Sequence, residues 1–216
     1  MVVVIPAFNE SRSIARVVSG CLKHADEVVV VDDGSTDGTG EEARRAGATI
    51  LVHSRNMGKW ASLKDGISLA LSKGFDFLVT MDGDGQHDPN EIPKLLSALE
   101  HADVAVGCRS RREMPPIRRL SNWITTSLLR ALFSIQVSDS QCGFRAYRRW
   151  AAEKLLEVRA SGFEGESESL VILARAGARM VDVPIRTIYG GEKSKIRGLR
   201  DTIRFIRTVL SLIVRK

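Results

Sequence analysis

The amino-acid sequence predicts an α/β fold, in which a mostly parallel sheet is flanked by helices. Short runs of β-branched residues alternate with segments that have the apolar spacing of helices. Polar loops follow several of these runs, where the carboxyl ends of parallel strands would lie. The chain has 216 residues, 44% of them hydrophobic, and no internal repeat, low-complexity segment or Gly/Ser linker. These observations predict one domain with one well-buried core.

Each element is predicted by its own apolar pattern. Five runs rich in β-branched residues predict strands, at Val2–Ile5, Glu27–Val31, Thr49–Val52, Phe75–Met81 and Asp103–Val106. Four segments between them have apolar residues at helical spacing, at Ser11–Leu22, Gly38–Ala46, Lys59–Ser72 and Asn90–Leu99. A strand, a helix and a second strand in succession form a βαβ unit, so this half of the chain predicts a parallel sheet. The second half has a less regular pattern.

Charge and cysteine content narrow the class of protein. A net charge of +6 and a pI near 9.5 favour an anionic partner, which could be nucleic acid, an anionic membrane or a phosphorylated substrate. The three cysteines lack the spacing of metal ligands and lie in or beside apolar segments, so neither a disulfide framework nor a zinc site is expected. The N-terminal apolar run is too short for a signal peptide or a membrane span. We therefore expect a cytoplasmic protein.

Three polar loops follow predicted strands and should meet at one edge of the sheet. They cover residues 6–10, 32–39 and 82–88. The third loop contains Asp82, Asp84 and Asp88, and carboxylates so close together repel one another unless a cation lies between them. Oxygen ligands suit a hard divalent ion that also holds phosphate oxygens. The sequence predicts a divalent metal and a phosphate at this edge.

Five motifs in these loops and beyond them resemble one enzyme family. They are Val4–Glu10 (VIPAFNE), Val31–Thr39 (VDDGSTDGT), Asn56–Lys59 (NMGK), Asp82–Asp84 (DGD) and Asp139–Arg145 (DSQCGFR). Together they resemble the family 2 glycosyltransferases, which have the GT-A nucleotide-sugar fold. Within that family they are similar to the polyprenyl-phosphate group, which contains dolichyl-phosphate mannose synthase and dolichyl-phosphate glucosyltransferase. The resemblance implies that residues 1–197 form the glycosyltransferase domain.

The resemblance also implies where the nucleotide-sugar donor, a UDP- or GDP-sugar, binds. The residues it assigns to the donor pocket are Pro6, Ala7, Asn9, Glu10, Asp33, Lys59 and Asp82. Carboxylates can accept hydrogen bonds from base N–H groups and from ribose hydroxyls. The same residue types also begin helices and form turns, which is the structural alternative for Asn9, Glu10 and Asp33.

The metal assigned by the resemblance is Mg²⁺ or Mn²⁺. Asp84 would bind the ion directly, Asp82 would contact the ribose or reach the metal through water, and Gln86 would add an oxygen ligand. His87 could be a further metal ligand, or a solvent-facing or hydrogen-bonded histidine in a turn. Asp88 is expected to cap the helix that follows it, because Pro89 suits a first helical turn.

The catalytic residues implied by the resemblance are Asp139, Arg109, Arg145 and Lys195. Asp139 occupies the position of a general base in relatives with hydroxyl acceptors. Arg109 and Arg145 would neutralise an acceptor phosphate, and Arg111, Arg118 and Arg119 are further candidates. Lys193 and Lys195 would belong to a basic loop that folds over the donor, or to a solvated charged loop. An acidic residue near the site is implied at Glu166, which could instead favour a helix N-terminus.

The C-terminal segment, residues 198–216, is predicted to form a basic amphipathic helix. Its aliphatic residues recur at helical spacing between arginines, so it could lie in a membrane interface or pack on the protein core. With a lipid acceptor we favour the interface, directly or through a membrane-protein partner. The apolar segment from Met114 to Phe133 is also expected to face lipid.

The predicted function is metal-dependent, inverting transfer of a hexose from a nucleoside diphosphate sugar to a polyprenyl or dolichyl phosphate at the cytosolic membrane face. A second interpretation keeps the donor but uses a hydroxyl acceptor on a glycan or small molecule. A third is a nucleotide-binding module without catalysis. Few aromatic residues are available for base stacking. The acidic loop of residues 82–88 would repel a phosphate that has no metal ion, so a nucleic-acid partner is not expected.

Overall fold

The protein is built around one seven-stranded sheet with helices on both faces. The computed structural model describes residues 1–110, 112, 114–188, 207–209 and 211–213. The strands are β1 (Val2–Ala7), β2 (Glu27–Asp32), β3 (Thr49–Val52), β4 (Phe77–Thr80), β5 (Val104–Arg109), β6 (Arg145–Arg148) and β7 (Met180–Ile185). Their order across the sheet is β3-β2-β1-β4-β6-β5-β7. All neighbouring strands are parallel except β6, which runs antiparallel to β4 and to β5. The predicted α/β fold with a mostly parallel sheet is confirmed.

In the described part of the chain up to residue 188, seven α-helices connect or follow the strands. They are α1 (Ile14–Cys21), α2 (Thr39–Arg45), α3 (Lys59–Ser72), α4 (Ile92–Ala98), α5 (Pro116–Phe133), α6 (Arg149–Lys154) and α7 (Gly165–Arg175). The first four agree with the predicted helices to within a few residues. β5 runs three residues past its predicted end at Val106, and so carries Arg109 at its last position. β6, a four-residue strand of sequence Arg-Ala-Tyr-Arg, has no apolar run and was not predicted.

The core lies in two layers, one on each face of the sheet. Alternate valines of β1 and β2 point to opposite faces, and all of them are fully buried. α3 packs on one face and α1 and α4 on the other. Gly66 of α3 lies against β1, where an added Cβ would be 2.5 Å from Val4 Cγ1. This close approach fixes the start of α3, and with it Lys59, relative to the central strands.

Strand β1 continues past its neighbour β4 and so opens a gap at the carboxyl edge. The pairing of β1 with β4 ends at Val4 and Thr80, whereas its pairing with β2 continues to Ala7 and Asp32. Pro6 lies in this unpaired stretch, where a residue without an N–H group costs no sheet hydrogen bond on the β4 side. The Ala7 side chain is 3% exposed and belongs to the core, so only the backbone of Ala7 borders the gap.

The described part of the C-terminal segment packs on the protein. Val209 and Leu212 are 6% and 3% exposed, and the Leu212 carbonyl accepts a hydrogen bond from Arg175 Nη2 at 2.6 Å. For these two side chains the predicted insertion into a membrane does not hold, because they contribute to the core. None of the helices described here combines the length and the hydropathy needed to span a bilayer. The other residues of the segment, and Arg111, Lys193 and Lys195, lie outside the described part of the chain.

Candidate active site

The loops after β1 and β2 are hydrogen-bonded to each other and form one surface. Asn9 has a left-handed backbone, with φ of 54°, and its Oδ1 accepts a hydrogen bond from Thr36 N at 2.9 Å. Asn9 N in turn donates to Ser35 Oγ at 3.0 Å. The next residue, Glu10, donates its backbone N–H to Thr39 Oγ1 at 2.8 Å. Asn9 is exposed and Glu10 is half-buried at this edge.

The Asp33 carboxylate, in contrast, is hydrogen-bonded to the protein's own backbone. Its side chain accepts hydrogen bonds from Met57 N at 2.7 Å and Gly58 N at 2.9 Å, and it lies 2.8 Å from His53 Nδ1. The residue is 3% exposed. Asp33 therefore holds the loop that leads into α3 and orients Lys59, the next residue. A direct contact between its carboxylate and the nucleotide would require these hydrogen bonds to be exchanged.

Lys59 lies between two carboxylates from distant parts of the chain. Its Nζ is 2.5 Å from Asp82 Oδ1 and 2.8 Å from Glu166 Oε1. Burial alone would lower the pKa of Lys59, but these two carboxylates raise it above its ordinary value. Burial would raise the pKa of Asp82, but the positive charge of Lys59 and further neighbouring groups lower it to about 2. Asp82 and Lys59 are thus both charged at neutral pH.

The other acidic side chains of the third loop do not converge on Asp82. Asp84 Oδ1 accepts a hydrogen bond from Gln86 N at 3.0 Å, and Asp88 Oδ1 accepts one from Asn90 N at 3.0 Å. Asp88 is therefore the predicted cap of the following turn. Within the described residues, no three His, Cys, Asp or Glu side chains are close enough to hold a metal together. The repulsion expected within this loop is relieved by a separate partner for each carboxylate.

Asp84 and Gln86 nevertheless supply the donor chemistry of a hard-cation site. Both offer side-chain oxygens, the ligand type that Mg²⁺ and Mn²⁺ prefer. Gln86 Oε1 lies 3.3 Å from Arg118 Nη1, so α5 reaches this loop through an arginine. Two oxygen donors leave most of the coordination shell to phosphate oxygens and water. These residues therefore fit a metal ion that is completed by a bound diphosphate.

His87 is part of the core. It is 3% exposed, its ring stacks on Phe144 at a centroid distance of 5.2 Å, and its Nε2 lies 3.9 Å from Cys142 Sγ. Burial lowers the pKa of His87 to about 4, so the imidazole is neutral at neutral pH. The sequence suggested a metal ligand, or a solvent-facing or hydrogen-bonded turn residue, and neither fits a buried histidine that forms a β-bridge with Thr187. The ring instead packs the third loop against the loop before β6.

Arg109 and Asp139 form a two-point ion pair. Arg109 Nε donates to Asp139 Oδ2 at 2.7 Å, and Arg109 Nη2 donates to Asp139 Oδ1 at 2.9 Å. The side chain of Asp139 is 1% exposed and that of Arg109 is 15% exposed, so the guanidinium is the part nearer to solvent. The structure thus joins the predicted base and the predicted phosphate-binding cation in one unit.

Arg145 does not reach the edge of the sheet. It is fully buried and bonded within the protein, with Nε to the Cys142 carbonyl at 2.8 Å, Nη2 to the Ser140 carbonyl at 2.9 Å and Nη1 to Ser169 Oγ at 3.0 Å. Nη2 also lies 3.2 Å from Glu166 Oε2. The predicted contact between Arg145 and an acceptor phosphate does not fit this position, because each guanidinium nitrogen already binds a group inside the protein. Arg145 shapes the loop that carries Asp139.

Charges of alternating sign run from the sheet edge into the core, in the order Asp82, Lys59, Glu166 and Arg145. Sequence reasoning placed Glu166 near the site but left open a role at the start of α7. The structure joins the two interpretations, because Glu166 lies in the first turn of α7 and also bridges Lys59 and Arg145. The arrangement can hold an anionic donor beside Asp84 and Gln86. Lys59 and Arg109 are the two positively charged side chains near this position.

Comparison with known proteins identifies the family of this chain. Residues 2–156 match the family described as Glycosyl transferase family 2. The undecaprenyl-phosphate mannosyltransferase of Micrococcus luteus is 32% identical, over 84% of this chain and 81% of the relative. The UDP-N-acetylglucosamine–dolichyl-phosphate N-acetylglucosaminyltransferase of Methanococcus voltae is 31% identical, over 94% of this chain and 90% of the relative.

A solved structure supports the fold. The glucosyl-3-phosphoglycerate synthase from Mycobacterium tuberculosis, crystallised with Mg²⁺ and uridine diphosphate, superimposes with a TM-score of 0.77. It is 22% identical and the alignment covers 99% of this chain and 79% of that chain, a likeness that speaks to the fold alone. The match over residues 2–156 and the relatives above 30% identity show that this chain is a glycosyltransferase of family 2 with the GT-A fold.

Proposed function

We propose that this enzyme transfers a hexose from a nucleoside diphosphate sugar to the phosphate of a polyprenyl phosphate, at the cytosolic face of a membrane. The observation that carries the proposal is the ion pair between Arg109 and Asp139. At the position where a hydroxyl acceptor would need a free base, both oxygens of Asp139 are bound by a cation. A phosphate monoester is already anionic near neutral pH and needs a cation more than it needs a base.

The relatives support the same acceptor class. Two of the relatives above 30% identity, those of Micrococcus luteus and Methanococcus voltae, are named for transfer to undecaprenyl phosphate and to dolichyl phosphate, and both align with most of this chain. Arginine suits this role because its planar donors match two phosphate oxygens at once. Arg109 is partly exposed, so an acceptor phosphate could share its guanidinium with Asp139.

The donor would bind at the gap beside β1, between the loops after β1, β2 and β4. Asn9 and Glu10 would face the nucleoside, and Asp82 would accept from the ribose. Asp33 would act indirectly, because it fixes the loop that positions Lys59. Asp84 and Gln86 would hold Mg²⁺ or Mn²⁺. A bound metal ion would neutralise the charge that develops on the departing diphosphate.

The reaction is a displacement at the anomeric carbon. A phosphate oxygen of the acceptor forms the new bond to that carbon, while the bond from the carbon to the nucleoside diphosphate breaks. The proposed stereochemical outcome is inversion, since one displacement reverses the configuration. Arg109 would orient the attacking phosphate, and Arg145 would keep the Asp139 loop in place from behind. Lys195, outside the described residues, is proposed to cover the donor.

The test is a transfer assay with the full chain, Mg²⁺ or Mn²⁺, short-chain polyprenyl phosphates and a panel of labelled UDP- and GDP-sugars. Label that enters an organic-extractable, phosphate-linked product supports the proposal. Label found only on added glycans or small-molecule hydroxyls would replace it with the hydroxyl-acceptor function. Transfer to neither acceptor class, by protein whose thermal unfolding is cooperative, would contradict both.

Asp84→Ala tests the metal assignment within the same assay. The variant should lose transfer by at least about a hundredfold, because a directly bound carboxylate is removed from the ion that neutralises the leaving group. The matched control is Asp88→Ala, a neighbouring aspartate that caps a turn. That control should cost about 1 kcal/mol of stability and leave transfer nearly unchanged. Full activity of Asp84→Ala would contradict the metal assignment.

A further inference from the structure

One face of α5 exposes a row of large apolar side chains. Leu120 is 58% exposed, Trp123 is 55%, Ile124 is 43%, Leu128 is 38% and Leu132 is 47%. Successive members are three or four residues apart, except that Trp123 and Ile124 are adjacent, so they form a broad apolar strip on one side of the helix over nearly its whole length. Contiguous apolar surface of this kind on a soluble domain marks a contact with a partner or a membrane.

The opposite face of α5 is fully engaged with the protein. Leu129 is completely buried in the main core cluster, and Thr125 Oγ1 and Thr126 Oγ1 lie 3.2 Å and 3.0 Å from Ser140 Oγ. Asn122 is 3% exposed. The helix therefore has a folded position that does not depend on its apolar outer face, and that face is available for another contact.

The positive charge of α5 indicates that its partner surface is anionic. The helix contains Arg118, Arg119 and Arg130 and no acidic residue. Arg119 and Arg130 are both exposed and are separated by about three helical turns, so they flank the same side of the apolar row. Aliphatic and tryptophan side chains between exposed arginines are the composition of a helix in the headgroup region of an anionic bilayer.

A second copy of the chain fits this face less well. A symmetric pairing of two α5 helices would bring arginines near arginines with no acidic residue on either helix to compensate. An anionic bilayer, in contrast, offers hydrocarbon for the leucines and phosphate for the arginines. Each arginine near such a surface adds attraction that increases with the anionic lipid content.

The apolar face also borders the candidate active site. Arg118 Nη1 is 3.3 Å from Gln86 Oε1, and Ser121 Oγ is 3.4 Å from Gln141 Nε2. Gln86 is a proposed metal ligand, and Gln141 follows Asp139 by two residues. A bilayer against α5 would therefore lie beside the position at which the acceptor phosphate is proposed to bind.

We propose that the exposed face of α5, from Leu120 to Leu132, is the surface by which this enzyme lies on an anionic membrane, with the helix parallel to the bilayer. The expectation from the sequence that the segment from Met114 to Phe133 faces lipid is thus narrowed to this face of α5. This inference deepens the proposed function by naming where the membrane binds, but the binding itself needs neither donor nor polyprenyl phosphate.

Tryptophan fluorescence tests the orientation. The chain has three tryptophans: Trp60 is 1% exposed, Trp123 lies on the proposed face, and Trp150 is 37% exposed. Trp150 Nε1 binds Asp103 Oδ1 at 3.1 Å, at the amino end of β5 and so at the edge opposite the active site. Vesicles containing brominated anionic phospholipid should quench the Trp150→Phe protein, which keeps Trp123, and should leave the emission of Trp123→Phe unchanged. Equal quenching, or stronger quenching of Trp123→Phe, would overturn the proposal.

Co-sedimentation with the same vesicles, free of polyprenyl phosphate, tests the energetics. The double variant Leu120→Glu, Ile124→Glu should bind anionic vesicles at least about tenfold more weakly, because two apolar contacts are lost and two negative charges are added. The control is Val52→Glu, one substitution of the same kind at a 63% exposed valine on the edge strand β3. Both proteins should unfold at the temperature of the parent, since each altered side chain is exposed.

Two results would overturn the proposal. The first is vesicle binding by the double variant that equals that of the parent. The second is a parent chain that forms a dimer in solution, a double variant that is monomeric, and no vesicle binding by either, which would assign the face to self-association. Because these measurements contain no substrate, neither result bears on the transfer reaction itself.

Discussion

Both carboxylate oxygens of Asp139 accept hydrogen bonds from one side chain, that of Arg109, at 2.7 Å and 2.9 Å. The Arg109 backbone N–H points to the same carboxylate, 3.3 Å from Oδ2. A base that takes a proton from an acceptor hydroxyl needs a lone pair directed at that hydroxyl. In this arrangement the carboxylate instead orients the guanidinium, which is the group that an anionic acceptor requires.

Asp139→Asn tests whether Asp139 acts as a general base or only orients the Arg109 guanidinium. With a phosphate acceptor we expect the turnover rate to fall less than about tenfold, because no proton must be removed. With a hydroxyl acceptor the loss of a general base costs about a hundredfold or more. Turnover should be measured at saturating donor with one acceptor of each class. A hundredfold loss with the lipid phosphate, in a variant that unfolds like the parent, would show that Asp139 acts as a base.

Arg109→Lys tests the guanidinium. Lysine keeps the charge but cannot donate to two oxygens of Asp139 in the same planar geometry, so less of it remains directed at a phosphate. We expect KM for the acceptor to rise about tenfold and KM for the donor to stay the same. Arg112→Lys, at an exposed arginine close by in the sequence, is the matched control and should change neither constant. A rise in donor KM alone would place Arg109 at the diphosphate.

Lys59→Met tests the ion pairs that cross from the sheet edge to α7. The substitution leaves the carboxylates of Asp82 and Glu166 without their shared cation, and Glu166 is 4% exposed. Removing one member of a buried ion pair costs about 3 kcal/mol of unfolding free energy. Urea denaturation should show this loss, and the donor KM should rise because Asp82 is no longer held.

Two further variants control for Lys59→Met. Lys73→Met removes a pair with Glu27 at the other end of α3, where the lysine side chain is 35% exposed, and should cost less than about 1 kcal/mol. Lys59→Met combined with Glu166→Gln should recover part of the lost stability, since one of the two uncompensated charges is gone. If the double variant is less stable than Lys59→Met, Glu166 is stabilised chiefly by Arg145 and not by Lys59.

The sequence predicted the parts of this site that depend on strand order. Parallel βαβ units place the loops after β1, β2 and β4 at one edge whatever their side chains do, so Asn9, Glu10 and the Asp82 loop could be located from periodicity and turn residues. Individual contacts within that edge depend on tertiary packing. Asp33 and Asn9 both lie in loops that follow a strand, yet the Asp33 side chain turns inward and accepts hydrogen bonds from Met57 N and Gly58 N.

Arg145 shows why the remainder could not be predicted. Whether this side chain faces the site or the core depends on the pairing of β6, a short antiparallel strand inserted between β4 and β5. No apolar run marks that strand, so its register and the direction of Arg145 were not accessible. The bridge from Lys59 to Glu166 likewise joins two helices far apart in the chain, and no local pattern indicates that they meet.

Two glycines next to this bridge provide a final prediction, because the same added methyl group should have different effects at each. At Gly143 a Cβ would lie 2.7 Å from Lys59 Nζ and 3.0 Å from Asp82 Oδ1, the ends of two side chains. Those ends can move, so Gly143→Ala should raise donor KM severalfold at nearly unchanged stability. At Gly165 a Cβ would lie 2.2 Å from Trp60 Cγ, in a ring that is 1% exposed.

The buried ring at Gly165 cannot yield without disturbing the core, so Gly165→Ala should lower the unfolding free energy by at least about 2 kcal/mol. Donor KM and urea unfolding, measured on both variants, distinguish the two effects. A Gly143→Ala protein that loses as much stability as Gly165→Ala, with an unchanged donor KM, would contradict the assignment. It would mean that Lys59 and Asp82 are held for folding alone and do not contact the donor.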